Sequence, residues 1–226
     1  MDKFIKYFIW VVFISPVVYL AAAWKTLPEK VPMHYNLKGE VDRYGNKTEL
    51  LTLLAILVTV TIGVYFLMVN IHRIDPKRKY SSENISRMRR FAFAICIFLA
   101  ALTCFFIHSS QHAEMKFNAR FITVGIGLLF AVIGNYLYNI KPNYFAGIRT
   151  PWALENEENW RLTHRLASKI WFAGGLLLAV LGFFLSSTAA FILMMVVIAV
   201  LVLIPFIYSW RIYTRMKKMA APDNGK

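Results

Sequence analysis

Three groups of residues in this chain have the types and spacing that site chemistry requires. Asn143, Arg149, His164 and Arg165 fall in one stretch. Two guanidinium groups can grip a phosphate through paired N–H bonds, and an imidazole beside them can carry a proton. His34, Asn36 and Asp42 are close enough in sequence for a folded loop to bring them together. A metal site needs more ligands than that, so local hydrogen bonds that hold the loop in shape are the expectation. His108 and His112 are one helical turn apart and could share a metal, although a wet membrane edge accounts for them more simply. The chain contains no HExxH, GxSxG or Walker sequence. No enzymatic activity, resident metal or cofactor is therefore expected. Cys96 and Cys104 lack CxxC spacing and read as small apolar fillers.

The elements that must position these groups follow from where charge is missing. Charged residues make up 17% of the 226, against about 25% in a soluble domain. Five runs carry no Asp, Glu, Lys or Arg: Tyr7–Trp24, Leu50–His72, Phe91–Ala113, Phe121–Ile140 and Ile170–Trp210. About 20 apolar residues cross a hydrocarbon core as a helix, so each of the first four fits one crossing. The fifth holds 41 residues and would be about 60 Å long as one helix. It must turn back, and Ser186-Ser187-Thr188 is the polar cluster near its middle. The fold class expected is an all-α integral membrane protein with six transmembrane helices. Core helices of a soluble protein are shorter and charged along one face, and do not fit this pattern. Lys3, Lys6 and Ala21-Ala22-Ala23 imitate a secretory signal, but the stretch is long for one and further spans follow.

Lys and Arg accumulate in cytoplasmic loops. Summed over alternate segments, 19 basic residues lie on the side of the N-terminus and 7 on the other. Both termini of this multi-pass membrane protein are therefore expected in the cytoplasm. The net charge of +14 reads as topology signals and contacts with the lipid bilayer, with no direct binding of nucleic acid. All twelve acidic residues lie outside the runs, which counts against an ion-coupled pump. Pro16 and Pro205 each free a backbone carbonyl within a span. Gly125, Gly127 and Gly134 allow a neighbouring helix to come close. Asn135 and Asn139 share a helical face and should turn toward protein, away from lipid.

Two loops carry the most information. The outer loop, residues 25–49, contains Pro28 and Pro32 with expected turns at Asn36–Gly39 and at Tyr44-Gly45-Asn46. Its candidate recognition residues are Pro32, His34, Asn36, Gly39, Asp42 and Tyr44. The inner loop spans residues 141–169. From about Leu154 to Lys169 it reads as a separate cytoplasmic interfacial helix between spans four and five. That helix has acidic residues at its start, basic residues at its end and a Glu157–Arg161 pair. Trp160, His164 and Trp171 would share a face, with the tryptophans at headgroup level.

The residues Gly134-Asn135, Pro142-Asn143, Gly147-Ile148-Arg149-Thr150-Pro151-Trp152, Leu154, Asn156, Trp160 and Thr163-His164-Arg165 together resemble the signature of the SdpI family of membrane immunity proteins. The outer loop, with Pro28, Pro32, His34, Asn36, Gly39, Asp42, Tyr44 and Lys47, is similar to the small domain of unknown function that often precedes that signature. The chain then divides into residues 1–72, two spans and the outer loop, and residues 73–226, four spans and the signature loop. The resemblance implies protection against a secreted membrane-active toxin. It also implies a possible second role, holding a small transcriptional repressor at the membrane. The candidate binding residues are Asn135, Asn139, Asn143, Gly147, Arg149, Thr150, Trp152, Asn156, Trp160, His164 and Arg165. The other readings are a transporter or channel for a small solute or lipid, and an enzyme working at the membrane interface.

Overall fold

The computed structural model describes residues 2–36, 38–76, 82–112 and 119–220. Leu37 of the expected turn, and Lys77, Arg78, Lys79, Lys116 and Lys226 of the charge asymmetry, lie outside these. Helix α1 covers Asp2–Ala23. A hairpin of β1 (Lys30–Tyr35) and β2 (Val41–Asn46) follows, and then α2, Lys47–Ile74. Helices α3 (Ser82–Gln111) and α4 (Ala119–Leu137) come next. A short α5, Pro151–Glu155, precedes α6, Glu157–Phe184, and α7, Ser187–Ala220. All of these helices except α5 are long and apolar enough to cross a membrane, six in total. The protein is a multi-span membrane protein.

The long last run is a hairpin, as its length requires. Leu185 ends α6, and the Ser186 carbonyl accepts from the Ala190 N–H to start α7. Both intramembrane prolines have their freed carbonyls taken up. The Val12 carbonyl, which Pro16 leaves without its N–H partner, accepts from the Ser15 hydroxyl at 3.1 Å. The Leu201 carbonyl, left by Pro205, accepts from the Trp171 indole at 2.9 Å. That second bond also ties α6 to α7.

Two corrections concern the loops. The outer loop is a β-hairpin, a two-stranded addition to what is otherwise the expected all-α membrane fold. Its strands pair antiparallel from Lys30↔Asn46 to Tyr35↔Val41, with irregular register around His34. Tyr44-Gly45-Asn46 is strand and not a turn. Gly45 lies so close to its neighbours that a Cβ there would sit 2.6 Å from Met33 Cγ. Asn46 caps α2 by accepting from the Glu49 N–H at 2.8 Å. The other correction removes the separate interfacial helix. Residues 157–169 are the first turns of α6 itself, because nothing between Lys169 and Trp171 breaks the helix. Arg161 pairs with Glu158, one residue on from the expected Glu157.

The helices form two groups. In one, α3 packs against α1 and α2 around Phe13, Tyr65, Ala92 and Cys96. The hairpin closes the end of this group by seating Val31, fully buried, among Leu20, Leu27, Leu50 and Ile107. In the other group α4 lies against α6, which packs on α7. Backbone meets backbone along the α4–α6 seam. A Cβ on Gly127 would come within 2.5 Å of the Ala179 nitrogen and 2.7 Å of the Gly175 carbonyl oxygen. Gly134 is equally tight against Ser168 and Phe172, whereas Gly125 faces Phe98 of α3 instead.

Candidate functional site

Six residues after the end of α4, Asn143 organises the signature loop. It is fully buried, and all its hydrogen-bonding capacity is used. Its amide donates to the carbonyls of Lys141 and Ala146, at 2.9 and 3.0 Å. Its oxygen accepts from the N–H groups of Phe145 and Ala146, at 2.9 and 2.7 Å. The chain curls around one side chain, which explains an asparagine here: only an amide presents two donors and an acceptor in one plane. The curl ends at Gly147, whose φ of +104° favours glycine. A Cβ at that position would also sit 2.5 Å from His164 Nε2.

His164 closes the curl from below. Its Nε2 accepts from the Ile148 N–H at 2.9 Å, and its Nδ1–H donates to the Trp160 carbonyl at 2.8 Å. An acceptor at Nε2 and a donor at Nδ1 define a neutral imidazole with both nitrogens in use. The ring stacks on Trp160 at 4.0 Å between centroids. Trp160 itself is 1% exposed and donates its indole N–H to the Ile140 carbonyl. Trp160 and Trp171 are therefore internal ties and not headgroup anchors, because each finds a backbone carbonyl that the fold leaves open.

A second knot joins the loop to α7. Thr150 caps α5, accepting from the Ala153 N–H at 3.3 Å. The Ser209 hydroxyl donates to Asn159 Oδ1 at 2.8 Å. It must then accept from Trp152 Nε1 at 2.8 Å and from the Thr150 hydroxyl at 3.1 Å. The Asn159 amide returns a bond to the Ser209 carbonyl, and Thr163 donates to Asn159 Oδ1. Every hydroxyl and indole proton in this buried cluster has an assigned acceptor. The Trp152 ring also packs among Phe206, Trp210 and Tyr213 of α7.

The remaining inner candidates are dispersed. Arg149 is exposed and donates to the Tyr144 carbonyl at 2.6 Å, holding the loop. Asn156 caps α6 through the Asn159 N–H. Asn139 and Arg165 line an open cleft of about 640 Å³ beside the loop, where the Arg165 guanidinium lies over the Tyr138 ring. Asn135 is exposed on α4 and does not turn toward protein as expected, because the seam face of that helix is taken by Gly127 and Gly134. Asn159 and Ser209 were not among the expected site residues. Ser209 did carry a signal, as a hydroxyl near the end of an apolar run; Asn159 stood in a charged stretch where nothing set it apart.

At the opposite end of the bundle, His34 Nδ1 meets Asp42 Oδ1 at 2.6 Å across the hairpin. Asn36 accepts from the N–H groups of Lys38 and Glu40, and Gly39 turns with φ +76°. Pro32 is buried and Tyr44 exposed. These are the local bonds expected to hold the loop. His108 and His112 stack at 4.4 Å near this end, with Tyr19 bonded to the former. Among the described residues no group of three or more His, Cys, Asp or Glu could hold a metal.

Residues 139–209 match the SdpI/YfhL protein family, and they contain both knots. This stretch is an SdpI-family segment. Residues 11–59, which contain the hairpin, match a domain of unknown function, DUF1648. The chain is also similar to "Immunity protein SdpI" of Bacillus subtilis (strain 168). The two are 24% identical over 196 residues, 85% of this chain and 88% of that one. No solved structure matches.

Proposed function

We propose that this SdpI-family protein protects the bacterium that carries it against a secreted, membrane-active toxin, by binding and without covalent chemistry. The observation that carries this reading is the likeness to the Bacillus subtilis immunity protein across most of both chains. The closed bonding of the signature loop favours recognition over catalysis. His164 has no nitrogen left to shuttle a proton, and one N–H of Arg149 is committed to holding the loop through the Tyr144 carbonyl. Such a loop is a stiff surface that loses little freedom on binding.

The excess of basic residues beside the signature loop puts that loop and both termini in the cytoplasm. The hairpin then faces outward, where a secreted toxin arrives, and His34, Asn36, Asp42 and Tyr44 form its outer recognition surface. The hairpin belongs to residues 1–72 and the signature loop to residues 73–226.

Expression in a toxin-sensitive bacterium tests the reading. Protected growth is expected, with loss of protection in Trp152→Ala at unchanged membrane abundance. No protection against any secreted toxin tried, together with solute flux in proteoliposomes, would favour a transporter instead.

A further inference from the structure

The cleft beside the signature loop has a composition that the proposed function does not use. It gathers Arg87 of α3, Lys141 after α4, and Arg161 and Arg165 of α6, against two carboxylates, Glu157 and Glu158. Arg161 is bonded twice to Glu158, with Nε to Oε2 at 2.7 Å. Among the described residues that line the cleft, positive side chains outnumber negative ones by two, with His164 neutral at its base. Its volume, about 640 Å³, is in the range of small-ligand sites. The cleft does not stop at its polar residues. Asn84, Arg87, Asn139, Ile140 and Lys141 also line an adjoining slot whose other walls are Met88, Phe91 and Tyr136. The slot is shallow, about 30 Å³, so it cannot enclose an acyl chain, but a cationic mouth bordered by an apolar edge has the chemistry of a phospholipid held by its phosphate, with the chain leaving along that edge into the bilayer.

The position agrees. Lys141 lies just beyond the last turn of span α4, and Arg161 and Arg165 occupy the charged opening of α6. All three are exposed at the charged margin of these apolar spans, where the lack of further apolar residues calls for headgroups rather than hydrocarbon. Basic pockets between transmembrane helices hold anionic headgroups in this way. The slot lies on the α3–α4 seam, which among the described residues is the one direct contact between the two helix groups. We propose that the cleft of Arg87, Lys141 and Arg165, with the apolar slot between α3 and α4, binds one anionic phospholipid through its phosphate and braces the two helix groups.

Lipid that binds the folded state raises its unfolding midpoint. Full-length protein in neutral detergent would be heated with phosphatidylglycerol, with phosphatidylcholine or with sodium phosphate. Phosphatidylglycerol is expected to raise the midpoint by several degrees, phosphatidylcholine and phosphate by less than one. The exposed double variant Lys141→Gln/Arg165→Gln should keep its lipid-free midpoint and lose most of the shift. Native mass spectrometry of the wild-type protein, which needs no variant, should retain one phosphatidylglycerol where phosphatidylcholine is stripped. Equal stabilisation by phosphatidylcholine would leave no anionic site. Equal stabilisation by phosphate alone would mean a free-anion site and not a lipid one. An undiminished shift in the variant would place the lipid elsewhere. Each of these results overturns the proposal.

Discussion

The two polar knots around the signature loop differ in what they require of single residues. Asn143 and His164 shape one stretch of loop, whereas Ser209 is the joint between loop, α6 and α7. Removing the Ser209 hydroxyl leaves the Trp152 indole N–H and the Thr150 hydroxyl without an acceptor in a buried site. Each stranded group costs about 1–3 kcal/mol. Ser209→Ala should therefore lower the unfolding midpoint clearly, while Ser186→Ala, which removes one long 3.4 Å cap bond at the exposed hairpin turn, should lower it little. Thermal unfolding of the two purified variants compares them. The inner-loop residues stand out in the sequence by their resemblance to the SdpI signature, with Asn143 after Pro142, Gly147 two before Arg149 and His164 before Arg165. Their roles were not legible. Trp160 reads as an interfacial anchor by type, and only the open Ile140 carbonyl turns it inward.

Among the elements, the spans were set by missing charge and came out where the uncharged runs lie. The β-hairpin was not legible. Pro32 within a strand, irregular register at His34 and a short loop hide the alternation that marks a strand. The interfacial helix was misread because charge stops at Lys169 while the helix does not. A proline in a span is a cost that a neighbour must offset, and here the neighbour is Trp171 on α6. If its indole serves the carbonyl that Pro205 frees, the two substitutions are coupled. Trp171→Phe should destabilise the wild-type chain by about 1 kcal/mol through the lost bond. In the Pro205→Ala background the restored backbone N–H serves Leu201, and the same change should cost less. A double-mutant cycle on unfolding in detergent reads this coupling; additive effects would mean the bond contributes nothing.

For the whole molecule, the hairpin and the signature loop stand at opposite ends of the bundle, so they lie on opposite faces of the membrane. Cysteine labelling of intact cells checks the direction, in a background where Cys96 and Cys104 are replaced by serine. Lys38→Cys should react with a membrane-impermeant maleimide added outside. Glu155→Cys should react only after the cells are opened. The reverse pattern would invert the topology and put the toxin-facing surface at the signature loop. Protection itself is tested without knowing the toxin. A bacterium that secretes a toxin is sensitive to it once its own immunity protein is gone. The gene would be deleted in its native host and viability followed in spent medium from the parent. The deletant should lose viability there and recover with a plasmid copy of the wild-type chain. Equal survival of deletant and parent under conditions in which the parent kills other sensitive cells would contradict the immunity reading.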